Sequence, residues 1–403
     1  MTGPARTSWA ARVALVATGV FVSLAIAEIA VRAHVGSRPV SFHIVNGVFG
    51  QYDREFGQRF RPSSQKVLSL VSDGRVTWCP GVVASANVDG LGGRSTLADA
   101  RNADYVIFTT GDSFSYWMQS ALTVPDVVEA VLGERTGLKV VNLNFARGAY
   151  GILQMLTLAA EMYPALKPQL IVVQFTTDDL TRGRWWTREA VIDGRTRSQM
   201  ASRPEFNDPL TTNDEDVVDG RATEEWCRRE LHAARPDAVV KDSVAFRDVY
   251  LRSKGIAFEP FSLTKSYLIE AVWSTFFGRP FYSQTAFSLM PRVTAEEFLA
   301  DPGYRAAVQK LKQSGVPVVL VHLPNKAEIL FGRPFRGRAT ESIWSHLERD
   351  LGTRIVTLAE LPNHPPPPPR IDLQPNNAHP NLDGIRFYGQ YVATVLEPLV
   401  KRK

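Results

Sequence analysis

The stretch Tyr105–Trp117, YVIFTTGDSFSYW, decides how this chain is read. Six residues of strand character, YVIFTT, run into Gly111-Asp112-Ser113 and then into a second aromatic segment. β-Branched and aromatic residues suit a pleated surface, and a glycine followed by short polar residues turns the chain. In a parallel α/β sheet, ligands bind beyond the carboxyl ends of the strands. Ser113 falls just past such an end, where a helix begins. A serine there is a candidate nucleophile, and its own backbone N–H is a candidate donor to an oxyanion. The tripeptide alone carries little weight, so its surroundings have to carry the argument.

Downstream, strand and helix patterns alternate. VPDVVEAVL (124–132) has helical apolar spacing, LKVVNL reads as a strand, and ILQMLTLAAEM (152–162) places Ile152, Met155, Leu156 and Ala159 on one helical face. The run from Leu170 to Phe175 is continuously apolar between Pro168 and Thr176, as expected of a strand covered on both faces. The rhythm stops at Thr181 and resumes near Pro291 with AEEFLADPGYRAAVQKLKQSG, the strand VPVVLVHLP, a shorter strand near RIVTL and a last helix from about Asp383 to Leu399. This predicts a parallel sheet with crossover helices. Residues 1–35 form an anchor or signal, 36–102 an irregular lead-in, and 103–400 the α/β domain. Its insertion at 181–291 is expected to be a lid or side lobe. Pro365–Pro369 reads as a stiff surface loop.

A nucleophilic serine needs a base, most often histidine. Of the seven histidines, His379 stands out, because NNAHPNLDG (376–384) forms a short Pro-bounded loop ahead of the last helix. Such a loop can aim an imidazole back over the sheet.

The amino terminus carries Arg6 and Arg12 ahead of VALVATGVFVSLAIA (13–27), with Glu28 near the far end of an apolar stretch from Ala10 to Val31. That is about the length that crosses a bilayer. The competing reading is a cleaved signal peptide, with Ala25-Ile26-Ala27 as the cleavage site. The slight excess of positive charge before the span puts the amino terminus in the cytoplasm and the remainder beyond the inner membrane; signal cleavage would instead give a secreted protein. The net charge of +5 is scattered, so nucleic acid is not indicated. Cys79 and Cys227 lack any metal-binding spacing and are read either as a pair or as two thiols. No metal or cofactor is expected.

Four blocks in order, GDSFSYW, NFARGAYGILQ, VVQFTTDDL and AHPNLDG, resemble the SGNH/GDSL hydrolase superfamily, in particular its bacterial membrane-anchored members that act on O-acylated envelope carbohydrate. Glu28 with Arg32, and the HLPNK segment, are similar to those members too. The resemblance implies a three-layer α/β/α, flavodoxin-like parallel sheet, with Ser113 as nucleophile and His379 as base. The oxyanion donors would be the backbone N–H groups of Ser113 and Ala146 and the residue at position 178. Two positions depart from the pattern: Asp178 stands where the family has asparagine, and Asn376 where it has aspartate. An ionised carboxylate cannot donate a hydrogen bond, so burial keeping Asp178 protonated is one way to retain the site. Asp372 and Asp383 are replacement acids for orienting His379. Trp185 and Trp186, directly after the third block, are read either as a sugar-stacking rim or as packing. The activity implied is a serine esterase or O-acyltransferase acting on acylated carbohydrate. The alternatives are a catalytically degenerate relative that binds glycan or assembles an envelope complex, and an anchored scaffold protein with an incidental GDS.

Overall fold

The computed structural model describes residues 9–36, 40–46, 50–72, 75–116, 122–192, 195–202, 204–205, 209–213, 217–218, 268–269, 292–361, 366–368, 372–374 and 377–401. The chain opens with helix α1 (Trp9–Gly36), 28 residues and therefore about 42 Å long. Within it, Val13–Ala30 is long and apolar enough to cross a membrane, and Leu15, Val16, Phe21, Leu24, Ile26 and Ile29 are exposed.

Residues 36–102, expected to be irregular, carry strands. β1 (Val40–Asn46), β4 (Gln65–Ser72) and β5 (Arg75–Ser85) form an antiparallel sheet, and β2 (Gly50–Asp53) pairs with β3 (Gly57–Phe60) in a hairpin. A short helix α2 (Leu97–Ala100) follows. The scatter of Gly, Ser and Asp among short apolar pieces hid these strands, since no clean alternation marks a face.

The α/β domain then begins. β6 (Tyr105–Gly111), α3 (Ser113–Tyr116), α4 (Val124–Thr136), β7 (Val140–Asn144), α5 (Ile152–Leu166) and β8 (Leu170–Phe175) follow the expected rhythm. The insertion contributes β9 (Trp186–Ile192), β10 (Arg195–Ala201) and β11 (Pro209–Asn213) as an antiparallel sheet, and β12 (Val217–Val218), which joins β1 in parallel. After it come α6 (Ala295–Ala300), α7 (Pro302–Gln313), β13 (Val318–His322), α8 (Lys326–Phe331), α9 (Arg338–Leu351), β14 (Ile355–Val356), the hairpin β15 (Asp372–Gln374) with β16 (Asn377–Pro380), and α10 (Leu382–Leu396). The AEEFLADPGYRAAVQKLKQSG stretch is two helices rather than one. Asp301 ends the first and caps the second, accepting from Gly303 N at 2.7 Å, and Pro302 opens the new helix. Residues 366–368 of the proline run are irregular chain.

The main sheet is five-stranded and wholly parallel, in the order β14-β13-β8-β6-β7. Counting its own strands along the chain, that order is 2-1-3-4-5, the flavodoxin-like doubly wound arrangement. Alternate residues of each strand enter opposite cores. Val106, Phe108, Ile171, Val173 and Leu320 pack with α5, α7 and α9, while Tyr105, Ile107, Leu170, Val172 and Val321 pack with α4 and α10. Both faces are thus covered, and the domain has three layers. On the second face the helices approach closely at Gly389 of α10, where a Cβ would lie 2.4 Å from Val127 of α4.

The turn after β6 is equally tight. A Cβ on Gly111 would fall 2.4 Å from Ser115 Oγ and 2.7 Å from the Gln174 carbonyl oxygen. Gly111→Ala is therefore expected to cost about 1–3 kcal/mol, read as a lowered urea midpoint with an unchanged slope. A midpoint equal to that of the parent would show that the turn relaxes without cost.

Candidate active site

In the 2-1-3-4-5 order, the crevice at the switch point opens between β6 and β8, where the connections leave toward opposite faces. The first and third motif blocks follow those two strands. Ser113 is the first residue of α3 and only 6% exposed. Asp112 before it shapes the turn, its Oδ1 accepting from Phe114 N at 2.8 Å and its carbonyl from Ser115 N at 3.2 Å. The Ser115 hydroxyl donates to Gln174 Oε1 on β8 at 2.8 Å, tying the turn to the neighbouring strand.

His379 lies on β16, and the structure brings that hairpin onto the GDS turn. The ring of Phe114, next to Ser113, sits 6.1 Å from the His379 ring and 6.0 Å from that of Tyr388 on α10. This ring packing joins the two segments. Asn376 lies outside the described residues. Of the two replacement acids, Asp383 is exposed on α10, 3.8 Å from Arg386 one turn along. Asp372 stands opposite Pro380 in the β15–β16 register, one position from His379.

The second block supplies its donor in an occupied state. The Ala146 N–H donates to Asn144 Oδ1 at 3.0 Å, while Asn144 Nδ2 donates to the Ser115 carbonyl at 3.0 Å. Ala146 does not have a positive φ, so alanine replaces glycine there without strain. What limits the donor is the Asn144 carboxamide, which an oxyanion would have to displace.

Asp178 departs from its expectation most clearly. Its side chain is half exposed, and Arg182 Nη2 (2.7 Å) and Arg292 Nη1 (2.8 Å) and Nη2 (3.1 Å) converge on it. Burial of the surroundings pushes its carboxyl up, but the two guanidinium groups outweigh that and hold it well below the usual carboxylate range. Asp178 is therefore ionised and saturated, not protonated by burial, and it cannot act as an oxyanion donor. The reason is a partner, Arg292, that reaches it from beyond the insertion.

The neighbouring carboxylates behave oppositely. Asp179 is fully buried, accepts from Thr176 N at 2.8 Å and lies 2.5 Å from Arg182 Nη1. Burial, reinforced by Asp112, raises its carboxyl well above the ordinary value. Burial likewise pushes Asp112 up to about 6, against the pull of Arg182. Arg182, 4% exposed, also donates to the Tyr150 carbonyl at 3.1 Å and stays charged among these acids. The charge of Arg182 thus couples the third block to Asp112, the residue before Ser113.

Trp185 and Trp186 are not a sugar platform. Trp185 is buried, its Nε1 donating to the Ala149 carbonyl at 2.7 Å and its ring edge-on to Tyr150. Trp186 is buried too, with Nε1 on the Arg54 carbonyl at 2.9 Å. Their faces and N–H groups are used in joining the insertion and the β2–β3 region to the domain.

A second polar cluster lies at the ends of β8 and β13. His322 is fully buried between Phe175 and Trp344, with Nε2 2.9 Å from Thr177 Oγ1, and that hydroxyl donates to Glu328 Oε1 at 2.5 Å. Since the hydroxyl proton goes to Glu328, Nε2 carries the ring proton in this arrangement, and the neutral ring pins Thr177 next to Asp178. Burial, with Arg336 adding to it, holds His322 down to about 3. A histidine depressed on folding contributes stability that is present above its unfolded value and lost as pH falls toward the folded one. Relative to His322→Gln, the parent is therefore expected to lose about 2 kcal/mol of stability between pH 7 and pH 5. Parallel urea titrations of the two proteins check this, and parallel curves would refute it.

The sequence matches no family model and no curated protein. Among solved structures it is similar to the lipase/acylhydrolase from Enterococcus faecalis, with 10% identity over 74% of this chain and 98% of that one and a TM-score of 0.35.

Proposed function

We propose that this protein is a serine esterase or O-acyltransferase, carried at the membrane by α1. The observation that supports it is the packing of Phe114 against His379, which sets the GDS turn beside the histidine hairpin at the sheet's switch point. Ser113 Oγ attacks the ester carbonyl as His379 takes its proton, and the Ser113 N–H stabilises the oxyanion. Collapse of the tetrahedral adduct expels the alcohol, which receives that proton, and leaves acyl-Ser113. Water, deprotonated by His379, gives hydrolysis; a sugar hydroxyl gives transfer. Asp372, on the strand paired with β16, is one of the two acids proposed to orient the ring. Acylated envelope carbohydrate is the substrate class that the motif resemblance implies.

Asp178 favours a second reading. A position that normally donates to the oxyanion is here an ionised acid clamped by Arg182 and Arg292, as suits a relative that binds glycan without turnover. A fluorophosphonate probe distinguishes the two. One adduct per chain, mapped to Ser113 by peptide mass, is the outcome expected of the enzyme, whereas an unmodified Ser113 after prolonged exposure would favour the binding module.

A further inference from the structure

A carboxylate within an apolar span is costly in a bilayer unless it has a partner. Glu28 lies within the Val13–Ala30 span, and its Oε2 accepts the backbone N–H of Leu268 at 2.7 Å, from 240 positions away. A second feature coincides with this bond. Along residues 13–30 of α1 every side chain is exposed except Ala27 and Glu28, which are partly covered. Within residues 13–30 the covered positions are thus these two, and Leu268 meets the helix there. Leu268 is partly buried and Ile269 is 46% exposed.

The sequence around the contact matches the location. Tyr267 to Phe277, YLIEAVWSTFF, holds one acid and no base, contains a tryptophan, and is bracketed by Lys265 and Arg279. Eleven such residues are too few to cross a bilayer, while basic flanks around an apolar, tryptophan-bearing stretch suit the headgroup boundary. We infer that the chain at Leu268–Ile269 docks on the outer end of α1 at the membrane boundary, with Glu28 as the tie, so that the insertion makes a second membrane contact and α1 is retained in the mature protein. Cleavage after Ala27 would cut the helix at the docking point. The inference concerns a surface away from Ser113 and stands whether or not the chain is an enzyme.

The test uses the full-length chain in native membranes, with Cys79→Ser and Cys227→Ser as background. Ala27→Cys/Ile269→Cys is expected to form a disulfide under copper–phenanthroline, whereas Leu15→Cys/Ile269→Cys is not. Adding Glu28→Ala should lower the cross-link at least fivefold and raise labelling of Ile269→Cys by a water-soluble maleimide severalfold. Glu28→Gln, whose amide oxygen still accepts, should retain most of the cross-link. An intact mass should include residues 1–27 apart from removal of Met1. A mature chain starting at Glu28, no cross-link at 27/269, or equal cross-linking at 15/269 would each overturn the proposal. An unchanged proteolysis pattern of the α/β domain in Glu28→Ala shows that the effect is confined to the docking contact, and Ser113 labelling is scored separately.

Discussion

Ser113→Ala and His379→Ala are each expected to lower ester turnover by about 10³-fold or more, and the double substitution is expected to lower it no further. The reasoning is that the hydroxyl attacks usefully only as its proton leaves, so removing either partner abolishes the same step. Whatever rate remains comes from binding and from the Ser113 N–H, which neither substitution removes. Initial rates on an acetyl ester measure this, with KM followed alongside kcat. A loss confined to KM would mean that the residues bind substrate without reacting. Independent, multiplying losses would mean that His379 serves another step. Asp372→Asn supplies the third arm: if that acid orients the ring, its loss should lower kcat and leave KM nearly unchanged, whereas full activity would pass the orienting role to another group.

Arg182→Met is expected to cost about 3–5 kcal/mol of stability, the usual penalty for stripping a buried charge cluster of one partner. Arg182 faces Asp178 and Asp179 directly and Asp112 through its field, and methionine fills similar space without charge. Burial already raises Asp112 and Asp179. Without the guanidinium both rise further and take up protons. The penalty should therefore be greatest at high pH and shrink as pH falls through these raised values. Urea midpoints at pH 5 and pH 8 give the comparison, and Asp179→Asn in the Arg182→Met background should recover part of the loss. A cost below about 1 kcal/mol at pH 8 would show that solvent, not Arg182, compensates these acids.

The central strands were legible because burial on both faces leaves an unmistakable apolar run, as in Leu170–Phe175. The GDS turn was legible because it directly abuts a well-patterned strand, β6, whereas the segment of His379, expected as a loop, is the strand β16, whose partner β15 is too short to leave a pattern. Helix α9 was not, since RATESIWSHLERDL shows only Ile343, Trp344 and Leu347 to the core among many charges. The state of Asp178 was beyond sequence reasoning, because Arg292 meets it across 114 positions. Whether Trp185 and Trp186 form a rim or pack stayed open in the sequence for the same reason: their indole N–H groups bond the carbonyls of Ala149 and Arg54, which no local pattern connects to them. Thr177, His322 and Glu328 left one trace, the polar His322 closing an otherwise apolar strand.

The pairing of β12 with β1, Val45 opposite Val217, has a bearing on biogenesis. A ribosome delivers β1, β4 and β5 early, but the outer rim of β1 stays open until about 130 further residues have emerged, from Ser85 to Val217. That rim is an unpaired strand edge for the whole of this interval, and loop closure over such a separation slows completion of the fold.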